Sequence, residues 1–296
     1  MRRIALALLF LVAAARPALA DDALCFGKPA TIVGTGGANT LNGTPGDDII
    51  AGLDGNDIID GREGNDLICG GDGRDTLNGS DGDDRITGGR DEDVLDGGLG
   101  NDVLNGMNHA DVLHGRAGQD RLLGGRGNDR VYGGDDNDFL DGWYGEDRLY
   151  GESGADYVRD TPHGNDRLYG GSGNDTLNPI HGSDYISGGS GTDLLTFFNA
   201  PHHVDSRLYL NNTHGLGWDK VYGIENLTGT KYPDILYGDG GPNIIRGLGG
   251  SEIGEFRIYG LGGSDRIIGG TGTDRVYGGG GHDVCRAEKR YTCEAR

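Results

Sequence analysis

The side chains in this sequence best placed to do chemistry are its aspartates, because they recur at a fixed interval. In GLDGNDIIDGREGNDLICGGDGRDTLN, residues 52–78, an Asp preceded by glycines returns every nine residues as Asp57, Asp66 and Asp75. From Asp48 to Asp156 the spacing is nine without a slip. After a one-residue insertion near Asp160 the register resumes at Asp166, Asp175, Asp184 and Asp193, and a third block carries Asp234, Asp265, Asp274 and Asp283. Asn39 and Asn243 fill the same slot in weaker copies. General acid–base work needs two carboxyl groups that their surroundings set apart. Dozens of equivalent aspartates single out no such pair. Neither HExxH nor GxSxG occurs, and the glycines of TIVGTGGAN (31–39) belong to the nine-residue rhythm with no helix pattern after them, which argues against a dinucleotide loop. The chemistry left is ligation of a hard cation. Carboxylates and turn carbonyls are the oxygen ligands that Ca²⁺ takes, six to eight at a time.

Such a ligand set has to be positioned by the elements between the aspartates. With Asp at position six, position eight is as regular: Ile50, Ile59, Ile68, Leu77, Ile86, Leu95, Leu104, Leu113, Leu122, Val131, Leu140, Leu149 and Val158. Its neighbours are mixed, as at Arg85, Arg121, Asn78 and Tyr132, which is the period of a strand with one inward residue. Each repeat therefore reads as a six-residue glycine turn and a three-residue strand. One inward aliphatic per repeat cannot hold a fold alone, but stacked coils join these side chains into a narrow core. The fold class predicted is all-β, a parallel β-roll or β-solenoid with two repeats per coil. Residues 18 apart then stack on one edge, so Asp57 faces Asp75, while Asp66 pairs with Asp48 or Asp84 on the other. Coils lie about 4.8 Å apart. Two bare charges at ~5 Å repel by about 3 kcal/mol at an effective dielectric of 20, so the columns need counterions.

The pattern resembles the GGxGxDxUx repeats of RTX, or haemolysin-type, calcium-binding proteins, over nearly all of the chain after residue 20. The layout is most similar to small secreted actinobacterial members. The resemblance implies a parallel β-roll in which position-six aspartates of adjacent coils share Ca²⁺ with backbone carbonyls. That role falls on Asp48, Asp57, Asp66, Asp75, Asp84, Asp102, Asp120, Asp129, Asp147, Asp156, Asp175, Asp193, Asp265, Asp274 and Asp283, whose repeats keep glycine at positions one and four. It extends to Asp93 and Asp138, although position four there is Asp91 or Asp136, as it is His109 in the repeat of Asp111. Thr161 and Pro179 at position one set the repeats of Asp166 and Asp184 apart.

Composition agrees with a cation-dependent fold. Of 296 residues 61 are Gly, 47 acidic side chains face 26 basic ones for a net charge of -21, and 34% are hydrophobic. Little apolar surface is available to offset the entropy of so many glycines. The charge also turns the chain away from nucleic acid and anionic membranes and toward cations. Residues 1–20, with Arg2, Arg3, the apolar run IALALLFLVAAA and Ala18-Leu19-Ala20, read as a secretory signal peptide. The run of about 12 residues falls short of the roughly 20 needed to span a bilayer, so no membrane span is expected in the mature protein. Secretion to the extracellular space is the implied localisation. Four cysteines allow three pairings, and the local solution joins Cys25 to Cys69 and Cys285 to Cys293.

The domain organisation expected is β-roll repeats over 21–196, an interruption at 197–232 of non-calcium β-coils, further β-roll over 233–286 and a disulfide-linked cap at 287–296. The interruption concentrates Phe197, Phe198, Tyr209, Trp218 and Tyr222 with His202, His203 and His214. Alternation of Val204, Ser206, Leu208 and Leu210 suggests a longer strand, and GIENLTGT a coil without calcium turns. This segment reads as a structural coil, or else as a surface that grips a cell wall or matrix polymer. A transition metal on His202, His203 and Asp205 is disfavoured, because adjacent histidines on a strand point to opposite faces. The function expected is a secreted Ca²⁺-binding module that folds on binding the ion and is not an enzyme. An adhesin or glycan-binding protein is the alternative, and a calcium-dependent hydrolase a lesser one.

Overall fold

The computed structural model describes residues 23–160, 164–214, 218–249, 256–272, 274–287, 289–291 and 293. The signal-peptide expectation lies outside them. Among the described residues the chain winds between two sheets, one of 14 strands and one of 16, with consecutive repeats placed alternately in each. Pairing is parallel with a register of 18: Ile49 meets Leu67, Ile58 meets Thr76 and Leu95 meets Leu113. The insertion before Asp166 is absorbed outside the ladder, since Leu149 meets Leu168 with position eight still facing position eight. The two columns of position-eight aliphatics meet between the sheets as a single buried cluster from Ile50 to Val276. At position nine of the 16-stranded sheet, Tyr132, Tyr150 and Tyr169 stack at 4.9 and 4.8 Å between ring centres, which is one ring per coil.

The strands are longer than three residues. Ile49–Asp54, Ile58–Glu63 and Leu67–Asp72 each run from position seven through position three of the next repeat, leaving three-residue turns. The ladder passes over position one, pairing Ala51 with Cys69 and then Leu53 with Gly71. The residue after the gap takes a left-handed φ, +81° at Leu53 and +123° at Gly71, so the strand bends there without losing its hydrogen bonds. Turn residues and strand residues share the same glycines, and that is why the composition reads as turn.

Both predicted disulfides are present, Cys25–Cys69 and Cys285–Cys293, with Cα separations of 5.7 and 5.9 Å. The first ties the antiparallel pair Leu24–Cys25 and Lys28–Pro29 across the opening coils. The second draws the tail back, and Lys289–Tyr291 adds a parallel strand beside Asp274–Gly280 at the edge of the 16-stranded sheet.

The interruption enters both sheets but disturbs the parallel order of only one. In the 14-stranded sheet Leu195 pairs directly with Leu227, so GIENLTGT does supply an ordinary coil. In the other, Asp205–Arg207, Asn212–His214 and Trp218–Tyr222 pair antiparallel to one another between two parallel neighbours. The longer strand predicted through Leu210 does not form. It stops at Arg207, and Leu208–Leu210 make a 3₁₀ turn closed by Asn211 at φ +52°. Val204, Ser206 and Leu208 point inward as the alternation requires, but Leu210 is exposed.

Candidate metal centre

Each regular repeat builds the same small cage. Position one must be glycine because of its own turn: a Cβ on Gly52 would collide with Oδ2 of Asp57, and one on Gly61 with Oδ2 of Asp66. The Asp at position six thereby folds back under the chain and is buried. Its Oδ1 accepts the backbone N–H of the position-six residue one coil earlier, from Asp57 N to Asp75 Oδ1 at 2.8 Å, Asp66 N to Asp84 Oδ1 at 2.7 Å, and onward to Asp175 N and Asp193 Oδ1 at 2.9 Å. The pairings expected at 18 residues are the pairings found. Asp265 and Asp283 repeat the contact at 3.1 Å in the third block.

The other oxygen has no protein partner. Oδ2 of Asp57, Asp66, Asp75, Asp84, Asp93, Asp102, Asp120, Asp129, Asp138, Asp147, Asp156, Asp175, Asp193, Asp265 and Asp283 is buried without a hydrogen bond. An unpaired buried carboxylate oxygen is costly, and a run of them in register costs more. Burial is the main cause that pushes most of these groups upward, the backbone N–H offsets part of it, and in several a neighbouring carboxylate adds to it. Asp66, Asp93 and Asp102 are pushed up to about 7. Asp111, Asp138 and Asp147 reach about 8. Without a cation Asp111, Asp138 and Asp147, the most raised of them, hold protons near neutral pH.

A second kind of turn solves the same problem internally. In GTPGDD the backbone N–H of Thr44 donates to Asp48 Oδ2 at 2.6 Å, and the Thr44 hydroxyl lies 2.9 Å from that oxygen and 3.3 Å from the carbonyl of Gly46. In GTKYPD, the N–H of Thr230 donates to Asp234 Oδ2 at 2.6 Å, while its hydroxyl lies 3.0 Å from Oδ1 of the same carboxylate and 3.4 Å from Tyr232 O. Thr35 serves Asn39, and the N–H of Asp239 serves Asn243 at 2.9 Å. The threonine hydroxyl sits between a position-four carbonyl and a position-six carboxylate, the two ligand types a calcium turn offers. None of Thr35, Thr44, Thr230 or Asp239 has a positive φ, and the strands before the last three turns stop after three residues. The three-residue strand read from the sequence is correct for this second kind. Asp48, expected among the ligands, already has its Oδ2 engaged.

Several residues escaped the sequence reading. Asp111 receives the N–H of Asp93 at 2.8 Å and keeps a bare Oδ2, because His109 at position four adopts φ +75° in place of glycine. Asp91 and Asp136 do likewise at +73° and +76°. Asp and His are among the residues that tolerate this region, so the substitution itself was the signal. Asp166 also keeps the geometry. Beside it Asp160 takes the place of the position-one glycine, pairing across to Pro179, and oxygens of Asp147, Asp160 and Asp166 lie within 4.8 Å of one another, all buried. Burial, then the adjoining carboxyls, push Asp160 far upward.

The interruption continues both columns, since Asp219 Oδ1 accepts the N–H of Asp184 at 3.0 Å and Glu225 Oε2 that of Asp193 at 2.7 Å, but among the described residues neither leaves a buried oxygen without a partner. Asp205 is held by Arg207 at 2.6 Å, which takes it from His202 and His203. Tyr222 packs on Tyr185 and Tyr209 on Tyr237, so these rings extend the tyrosine column of neighbouring coils, and Phe197 lies in the core.

The donor set, with one bare carboxylate oxygen per turn stacked at coil spacing beside turn carbonyls, suits a hard divalent cation held by the position-six aspartates. No curated protein matches the chain. The family described as RTX calcium-binding nonapeptide repeat (4 copies) matches at residues 33–68, 70–104, 87–122, 97–131, 105–140, 123–158, 163–179, 181–196, 217–251 and 257–286. Those stretches cover most of the sequence with the register the cages require, and the chain belongs to that family of calcium-binding repeats.

Proposed function

We propose that this protein is a secreted β-roll whose coils order when Ca²⁺ enters the aspartate columns, and that it serves as a structural or binding module and not as an enzyme. The observation that carries this is the column of buried, unpartnered Oδ2 atoms. Bound calcium supplies positive charge and coordination to oxygens that the chain leaves bare. The position-six aspartates named above, joined by Asp111 and Asp166, hold the ion. Asp48, already capped by Thr44, contributes least. Position-one glycines admit the carboxylates, and left-handed residues at position four turn the carbonyls of the loop.

Folding and binding are then one event, since the ligands come together only in stacked coils. Two disulfides close the ends of the roll and suit an oxidising compartment, which supports secretion together with the leader-like residues 1–20. Circular dichroism of the disulfide-intact chain in EDTA, then with Ca²⁺ or Mg²⁺ added, tests the reading. β-Structure should rise with Ca²⁺ and much less with Mg²⁺, whose strict octahedral geometry fits a flexible carbonyl-rich cage poorly. Equal β-structure in all three conditions would sink it.

A further inference from the structure

One cavity of the described residues lies away from the aspartate columns, on the outer face of the 14-stranded sheet, with a volume near 550 Å³. Its origin is a missing side chain. Position two of successive coils stacks Met107, Gly125 and Trp143 in register, so Gly125 leaves a gap between two large exposed side chains. Met107 and Trp143 stand two coil steps apart, roughly 9.6 Å. A flat ring sandwiched at carbon contact distance on both faces would need about 7 to 8 Å. The additional room fits a puckered ring carrying axial hydrogens.

The walls are polar and pre-set. Asp141 is buried beneath the slot, where Arg159 holds its Oδ2 at 2.7 Å through Nε. Arg159 is steadied in turn over the Phe139 ring, as is Arg121 at 4.3 Å. Arg121 and Arg126, which line the slot, make no ion pair among the described residues. Asn108 offers a side-chain amide on the same side as Arg126. That amide already donates to Gly89 O at 3.3 Å, which leaves its oxygen to accept, so an occupant must donate to Asn108, accept from the guanidinium groups, and present C–H surface to an indole. Hydroxyls both donate and accept, and a sugar ring carries them around an apolar face.

We propose that the Met107–Gly125–Trp143 slot binds one pyranose ring of a polysaccharide, laid between Met107 and Trp143, with a hydroxyl donating to Asn108 Oδ1 and others accepting from Arg121 and Arg126. This places polymer recognition on the regular roll, not on the aromatic residues of 197–232. The slot requires folded coils but no particular source of their order.

The test uses the full disulfide-bonded chain in Ca²⁺, titrated with soluble oligomers of glucose, galactose and N-acetylglucosamine, with oligogalacturonate, and with a nucleotide as the flat-ring control. Tryptophan fluorescence and calorimetry are read, and circular dichroism of each sample reports the fold separately. At least one sugar oligomer should bind. Trp143→Ala and Asn108→Ala should each weaken it about ten-fold or more with the fold intact. An anionic preference would assign the guanidinium groups to a uronate, and no preference would assign a neutral hexose, both within the proposal. Absence of sugar binding to folded protein, unchanged affinity in Trp143→Ala, or binding of the nucleotide in preference to every sugar would overturn it.

Discussion

The turns at 43–48 and 229–234 and the turns between 52 and 156 present the same carboxylate to the same place and finish it differently. In the first group a threonine at position two supplies an N–H and a hydroxyl, the φ angles at Thr44 and Thr230 are not left-handed, and the preceding strand ends after three residues. In the second, position two is left-handed, the strand bends and continues for three residues, and one oxygen stays bare. The difference shows that the nine-residue repeat does not need a cation in principle. The chain uses threonine at the opening turns and beside the interruption, and leaves the rest of the roll open.

The largest effect that can break this contrast is acid. In EDTA, carboxyls held up to about 8 at Asp111, Asp138 and Asp147 bind more protons in the folded than in the unfolded chain, whose groups titrate near 4. Stability from them is full below about pH 4 and is lost progressively as pH rises from about 4 to about 8. Metal-free protein should therefore show most β-structure near pH 4 to 5 and lose it by pH 8, followed by far-ultraviolet dichroism. A rise of metal-free structure with pH would contradict the assignment.

Next in size is the cage itself. Gly97→Ala drives a Cβ onto Oδ2 of Asp102, whereas Gly46→Ala, in a threonine-capped turn, meets nothing within 4 Å. Thermal unfolding in Ca²⁺ should show Gly97→Ala losing about 2 to 4 kcal/mol and Gly46→Ala less than about 0.5. Thr230→Val removes the buried hydroxyl that reaches Asp234 and should cost about 1 to 3 kcal/mol, by an amount that added Ca²⁺ changes little in the wild type. The smallest effect is a count. Asp111→Asn keeps an acceptor for the N–H of Asp93 but loses the charge, so calcium titration should end about one or two ions earlier, while Asp234→Asn leaves the endpoint unchanged.

Much of the fold was legible because period nine states it twice, in aspartate at position six and in aliphatic at position eight, and the 18-residue register follows from that rhythm, while both disulfides were legible from the two cysteines near each end. Strand length was not legible, since glycine at positions one and two reads as turn whether the backbone leaves the sheet or bends within it. Asp111 was passed over because His109 hides a left-handed turn that glycine would have announced. The threonine caps were written in GTPGDD and GTKYPD, but their meaning depends on two distances that only the folded backbone sets. The sugar slot is invisible in one dimension, because Gly125 is unremarkable until Met107 and Trp143 are stacked above and below it.

The central claim is that bare oxygens take calcium and capped oxygens do not. Anomalous diffraction from crystals grown in Ca²⁺ tests it most directly. The account predicts calcium between successive turns from Asp57 to Asp193 and at Asp265 and Asp283, with no ion at Thr44 and Asp48 or at Thr230 and Asp234. Calcium at the threonine-capped turns, or columns of bare carboxylates left without it, would contradict the account.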